Sequence, residues 1–323
     1  MKDIILVTGA TGFVGSVLLP KLSIAFPTAD IVGLYYNDRT TNLSGDSLTN
    51  VTYRACNFAD QEQIKKLIDE IQPRYVINLA AISHIPTACD NPDLTWNVNL
   101  YGVLHLLNAL VNTNTVCTFL QVGSGDCYGQ SFASESPVDE NTAFMPMNPY
   151  SASKAAADLA AFSYRHQGQL KIIRARPFNH SGAGQSGNFV IPSFAKQIVN
   201  IEKGLQPPEL MVGNLTAERC FLHVNDVVDA YIALLLNEQT IASGEAFNIV
   251  SDQATAIQSV LDRLLAKSHV DVAVLNDPEK QRPSDILKAS GSADKLKRFT
   301  GWSPKVTLDE LLDDVLIGLR QEQ

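Results

Sequence analysis

The chain has 323 residues, 45% hydrophobic and 18% charged, with a mean hydropathy of zero. That is a globular make-up, long enough for one large or two ordinary domains with a sizeable core. The net charge of −9 argues against general nucleic-acid binding, so an anionic ligand needs local arginines acting against the overall field. Five cysteines (56, 89, 117, 127 and 220) form no C-x-x-C spacing and read as reduced thiols of a cytoplasmic protein. Six histidines without an H-x-x-H or H-E-x-x-H spacing predict no metal site. The N-terminal stretch lacks a long apolar signal region, and no run approaches the roughly 18 apolar residues a membrane span needs.

Along the chain, Ile4 to Thr8 is a short β-leaning run. Gly9-Ala10-Thr11-Gly12-Phe13-Val14-Gly15 follows, and then an apolar helical pattern through Leu22. Strand, glycine loop and helix in that order predict dinucleotide binding: the glycines let the backbone turn tightly and approach a pyrophosphate at the helix N-terminus. Asp30 to Tyr36 and Val51 to Asn57 read as strands, and Asp60-Gln61-Glu62-Gln63 as a capping box opening a helix to Ile71. Tyr75 to Ala81 is a fully apolar strand, Leu94 to Asn112 a long helix, Cys117 to Gly123 a strand, Ser151 to Arg165 an alanine-rich helix and Lys171 to Ala175 a sixth strand. This alternation predicts an α/β fold with a Rossmann-type doubly wound parallel sheet.

From Pro177 the pattern changes. Asn179 to Asn188 is rich in Gly and Ser, and Pro192, Pro207 and Pro208 interrupt the alternation. Helices are expected at Ser193–Lys203, Asn225–Leu236, Ala256–Lys267 and Leu308–Leu319, with short strands near Phe221, Phe247 and Val272. The division predicted is a dinucleotide-binding domain over 1–176, with some later segments returning to it, and a smaller α/β substrate region over 177–323.

Tyr150-Ser151-Ala152-Ser153-Lys154 carries the chemistry. Positions four apart share a helix face, so Tyr150 and Lys154 point the same way. A phenol titrates near 10, too high for a proton relay at neutral pH, and an ammionium-type neighbour such as Lys154 is expected to favour the phenolate. A lone Tyr-x-x-x-Lys means little and reads as the surface of an alanine-rich helix; the glycine loop at Gly9 and the stretch from Ser124 to Tyr128 make it specific.

Together these motifs resemble those of the extended short-chain dehydrogenase/reductases that act on nucleotide sugars, over the whole chain. Arg176-Pro177-Phe178-Asn179-His180, Val212-Gly213-Asn214-Leu215 with Arg219, Gln281-Arg282-Pro283 and Gly301-Trp302-x-Pro304 resemble the GDP-mannose branch, and within it the 4-keto-6-deoxy-sugar reductases. The resemblance implies a catalytic Ser124, Tyr150 and Lys154. It implies cofactor contacts from Gly9, Thr11, Gly12, Phe13, Val14, Gly15, Tyr36, Arg39, Asn57, Phe58, Leu79, Ala80, Ala81, Tyr150, Lys154 and Pro177. Substrate contacts fall on Ser83, Ser124, Asp126, Asn179, Val190, Arg219 and Arg282, with the two arginines clamping a diphosphate.

Tyr36 stands where NAD enzymes of this fold place an acid, and Arg39 could meet a 2′-phosphate, so NADP(H) is favoured over NAD(H), with Asp38 pointing the other way. Asp126 occupies the place of a glutamate in related dehydratases, one methylene short; a solvated turn residue is its other reading. Asn99 either props the active-site helix or faces solvent. His180 reads as a structural turn histidine, and Cys127 and Cys220 as packing residues. The implied activity is reduction of the C4 keto group of a GDP-linked 4-keto-6-deoxy sugar by a homodimer paired through a four-helix bundle of the Leu94–Asn112 and Tyr150–Arg165 helices. A dehydratase or epimerase recycling a tightly held NAD(P), and a non-catalytic NADP-binding regulator, are the alternatives.

Overall fold

Strand β1 (Ile4–Thr8) alternates its side chains between the two faces of a seven-stranded sheet. Ile5 and Val7 enter one apolar cluster, and Leu6 enters the cluster on the opposite face. The computed structural model describes residues 2–36, 48–113, 115–134, 137–278 and 286–321. In chain order the first half carries α1 (Phe13–Ala25), β2 (Asp30–Tyr35), β3 (Val51–Ala55), α2 (Gln61–Ile71), β4 (Tyr75–Asn78), α3 (Ile85–Asp90), α4 (Pro92–Trp96), a π-helical turn (Asn97–Tyr101), α5 (Gly102–Thr113) and β5 (Cys117–Val122). A 3₁₀ segment (Gly125–Ala133), α6 (Pro149–Ser163) and β6 (Leu170–Pro177) complete it.

The second half carries β7 (His180–Ser181), α7 (Val190–Glu202), β8 (Glu209–Val212), β9 (Glu218–Cys220), β10 (Leu222–His223), α8 (Val224–Leu236) and β11 (Glu245–Ile249). β12 (Ala254–Ala256), α9 (Ile257–Ala266), β13 (Ala273–Asn276), β14 (Lys288–Ala289), α10 (Asp294–Thr300) and α11 (Leu308–Gln321) follow.

The sheet order is β11-β6-β5-β4-β1-β2-β3, and every pairing is parallel. The order reverses between β1 and β4, which opens a crevice beyond the carboxyl ends of the strands. Helices α1 and α8 cover one face through Leu18, Leu22, Val227 and Tyr231; α2, α5 and α6 cover the other through Ile64, Leu106 and Ala157. Residues after 177 do return to the sheet: Glu245–Ile249 pairs with β6 as its outermost strand. A third apolar cluster joins α7, α9 and α11 through Phe194, Leu261 and Leu312. None of the described helices is long and apolar enough to cross a membrane.

Several boundaries differ from the sequence reading for local reasons. The strand expected at Tyr75 to Ala81 ends at Asn78, where the Asn78 side chain accepts the Thr8 hydroxyl and Thr8 Oγ1 in turn accepts the Ala80 N–H. The long helix expected at Leu94 to Asn112 is one helical run in three pieces, with the π turn at Asn97–Tyr101. Helix α6 begins at Pro149, capped by Asn148 and Ser151 in a reciprocal capping box. At α2, Asp60 accepts from the Gln63 N–H as expected, but the Gln63 side chain accepts from Asn57 rather than from the cap itself.

Candidate active site

The glycine loop bends where β1 meets α1. Gly9 has φ +65°, the left-handed region that favours glycine, and a Cβ on it would lie 3.0 Å from the Ala80 backbone nitrogen. A Cβ on Gly15 would lie 2.5 Å from both the Gly9 and the Ala10 carbonyl oxygens, so the helix sits directly against the loop. Gly12 caps α1 and supplies no side-chain acceptor, so the amides of the first turn can serve an anion. Thr11, Phe13 and Val14 lie along this turn, and Leu79, Ala80 and Ala81 pass beside it. The donor set fits a dinucleotide pyrophosphate.

Ser124 follows β5, nearly buried, and its Oγ accepts the Asp126 N–H at 3.1 Å. Tyr150, in the first turn of α6, is buried beside Ser124, Asp126 and Cys127. Burial raises its phenol well above the usual range. The Asp126 carboxylate pushes the same way, while hydrogen bonding by Ser124 opposes it. The expectation that Lys154 would draw the phenol toward neutrality is not met. The Lys154 ammonium, 3% exposed, donates to the Val122 carbonyl at 2.6 Å, and burial dominates the phenol. Burial lowers Lys154 itself to about 8, against the opposing pull of Cys127 and Asp158.

Asp126 is raised by burial and stabilised as a carboxylate by Arg219. Arg219, read from sequence as half of a diphosphate clamp, thus lies beside the catalytic loop. Ser83 is exposed, and its neighbour His84 meets Phe189 edge-on with ring centroids 6.0 Å apart; Val190 follows Phe189 and opens α7. Asn179 is exposed, and its carbonyl accepts the Leu222 N–H. His180 lies parallel to Phe13, 6.4 Å between centroids, with Nδ1–H donating to the Phe178 carbonyl and burial lowering its titration. Phe13 of the glycine loop and β7 thereby meet.

Other predicted residues stand apart. Tyr36 lies 62% exposed beyond β2. Asn57 spends its side-chain oxygen on the Ala59 N–H, and the Phe58 ring is buried against Gly102. Pro177 is buried at the end of β6, in register with Ile249. Arg39 and Arg282 lie outside the described residues. Among the described residues no cluster of His, Cys, Asp or Glu could hold a metal ion. Cys127 and Cys220 are buried packing residues, and burial pushes the Cys127 thiol up to about 12.

Asn99 takes the propping role. From the π turn it accepts the Ile82 N–H at 2.8 Å and donates to Ser153 Oγ at 3.0 Å, while Ser153 donates to the Tyr150 carbonyl. Asp158 belongs to none of the sequence motifs. It is the one acid on α6, one turn beyond Lys154, fully buried between Arg174 and Arg176 at 2.5–3.0 Å. Its position on an otherwise uncharged helix face after Lys154 was the available signal.

A Rossmann-order parallel sheet, a glycine turn at its first crossover and a Ser124–Tyr150–Lys154 set at the carboxyl edge define an extended short-chain dehydrogenase/reductase of the epimerase/dehydratase group. The family described as GDP-mannose 4,6-dehydratase matches residues 6–315, and the chain belongs to it. A GDP-6-deoxy-D-mannose reductase of Pseudomonas aeruginosa is 34% identical over 316 residues, covering 98% of this chain and 97% of that protein. GDP-mannose 4,6-dehydratase 1 of Arabidopsis thaliana is 29% identical, over 96% of this chain and 88% of its own length. Among solved structures, RMD from Pseudomonas aeruginosa complexed with NADPH superposes with a TM-score of 0.82 at 30% identity, covering all of both chains.

Proposed function

We propose that this protein reduces the C4 keto group of GDP-4-keto-6-deoxy-D-mannose with NADPH, giving GDP-D-rhamnose or its C4 epimer, GDP-6-deoxy-D-talose. The observation that carries the reading is the buried Tyr150 beside Ser124 at the sheet edge. Reduction of a ketone to an alcohol needs a proton donor, and the Tyr150 phenol beside Ser124 carries a transferable proton at the carboxyl edge of the sheet. Bound NADPH supplies the hydride. Tyr150 donates its proton to the C4 oxygen, Ser124 hydrogen-bonds that oxygen, and Lys154 keeps two further N–H donors for the nicotinamide ribose.

The similarity to the Pseudomonas aeruginosa reductase supports this reading over a dehydratase. So does Asp126, which is shorter than the glutamate implied for dehydratases and faces Arg219. NADP(H) preference rests on Arg39 and on Tyr36 in place of an acid; Arg39→Ala should raise the NADPH KM and leave NADH nearly unchanged. Dimerisation through the helical run from α4 to α5 and through α6 is supported by Leu94 on α4, Tyr101 on the π turn and Leu159 on α6, each more than half exposed. The free thiols support a reducing compartment such as the cytoplasm.

The test is NADPH oxidation by the purified protein with the keto sugar. We expect steady consumption with the GDP-linked substrate, and none with GDP-mannose or with the uridine and thymidine analogues. Conversion of GDP-mannose to the keto sugar without net NADPH use would instead make the protein a dehydratase.

A further inference from the structure

Beneath the sheet edge, three buried polar side chains from adjacent strands form one hydrogen-bonded line. The Ala80 N–H donates to Thr8 Oγ1 at 2.9 Å, and the Thr8 hydroxyl donates to Asn78 Oδ1 at 2.7 Å. Asn78 Nδ2 donates to Gln121 Oε1 at 3.0 Å, and Gln121 Nε2 donates to the Val122 carbonyl at 3.3 Å. That same carbonyl receives the Lys154 ammonium at 2.6 Å. Thr8 and Gln121 are fully buried and Asn78 is 2% exposed. Carboxamides in a strand core are costly unless their donors and acceptors are met, and here each bond fixes the orientation of the next.

We propose that Gln121 is a positioning residue for Lys154. Its amide holds the carbonyl that seats the ammonium and ties it, through Asn78 and Thr8, to the Ala80 segment beside the glycine loop. The inference rests on the assignment of Lys154 and the Leu79–Ala81 segment to the dinucleotide. An apolar side chain would fill the same space in the sheet; only a carboxamide accepts from Asn78 and donates to Val122 at once. The line also explains how the cofactor-facing end of β4 and the lysine on α6 keep a common register.

A double-variant cycle on NADPH affinity, measured by fluorescence without sugar, tests this. Gln121→Met keeps the length and removes both bonds, so affinity should fall about threefold to tenfold, the range of one neutral hydrogen bond. In a Lys154→Met background the same change should alter affinity less than about twofold, since Gln121 acts through the lysine. A Gln121→Met effect below twofold alone, or of equal size in both backgrounds, overturns the proposal. If circular dichroism shows that Gln121→Met does not fold, Gln121→Leu, which likewise removes both bonds and adds no donor or charge, carries the same cycle. A wild type that binds NADPH but leaves the keto sugar unreduced refutes the proposed reaction, while the cycle still decides the role of Gln121.

Discussion

Replacing Asp158 with Asn changes one atom's chemistry and little volume, yet it removes the carboxylate that bridges two guanidiniums. Arg174 donates to it at 2.5 Å and Arg176 at 3.0 Å through two separate nitrogens. All three side chains are 10% exposed or less, so solvent cannot take over the contacts. Breaking a buried ion pair by removing one partner costs about 3–5 kcal/mol, because the remaining charges stay buried. Against a typical stability of about 5–15 kcal/mol, that is a large loss, read as a lower midpoint in urea unfolding.

The same substitution should also act on Lys154. The Asp158 carboxylate raises the lysine, which burial has brought down to about 8. Without the carboxylate the ammonium gives up its proton at lower pH. The alkaline limb of NADPH affinity, set by loss of the Lys154 charge, should then move toward neutrality. A variant within about 1 kcal/mol of wild type in stability and with an unmoved alkaline limb would refute both the clamp and its link to Lys154.

Tyr150→Phe should lower turnover by about 10²–10⁴-fold with NADPH affinity retained, measured by steady-state kinetics and fluorescence titration. Asp126→Asn removes the carboxylate that raises Tyr150, so the phenol should titrate lower, seen as a pH-rate profile displaced toward acid. Leu159→Asp places a charge at a position 57% exposed on α6 and should give a monomer by light scattering if that surface pairs two copies.

The parts legible in the sequence are those set by neighbours along the chain. Gly9, Gly12 and Gly15 announce a turn because only their spacing lets α1 sit on the loop carbonyls, and Tyr150 and Lys154 share a face because four residues make about one turn. What escaped depends on partners far away in sequence. Asp158 reads as one acid on an alanine helix until β6 brings Arg174 and Arg176 against it. The carbonyl that holds Lys154 belongs to Val122, and a backbone acceptor leaves no mark in residue type. Tyr150 was expected to titrate low from its lysine neighbour, whereas burial, a tertiary quantity, drives it upward.

The π turn is similar. Asn97–Tyr101 carries no Pro or Gly to mark it, yet it is where Asn99 turns inward to join Ile82 and Ser153. Arg219 was assigned by motif to a diphosphate, and its proximity to Asp126 follows from the antiparallel pairing of β9 with β12 and its parallel pairing with β14, which no local pattern encodes.

The most direct test follows the hydride. NADPH deuterated at the transferring position of the nicotinamide ring is incubated with the protein and GDP-4-keto-6-deoxy-D-mannose, and the sugar product is examined by mass spectrometry and NMR. One deuterium on C4 for each NADPH oxidised is the predicted result. Deuterium absent from C4, or sugar product formed with no NADPH consumed, would contradict the reduction proposed for Tyr150, Ser124 and Lys154.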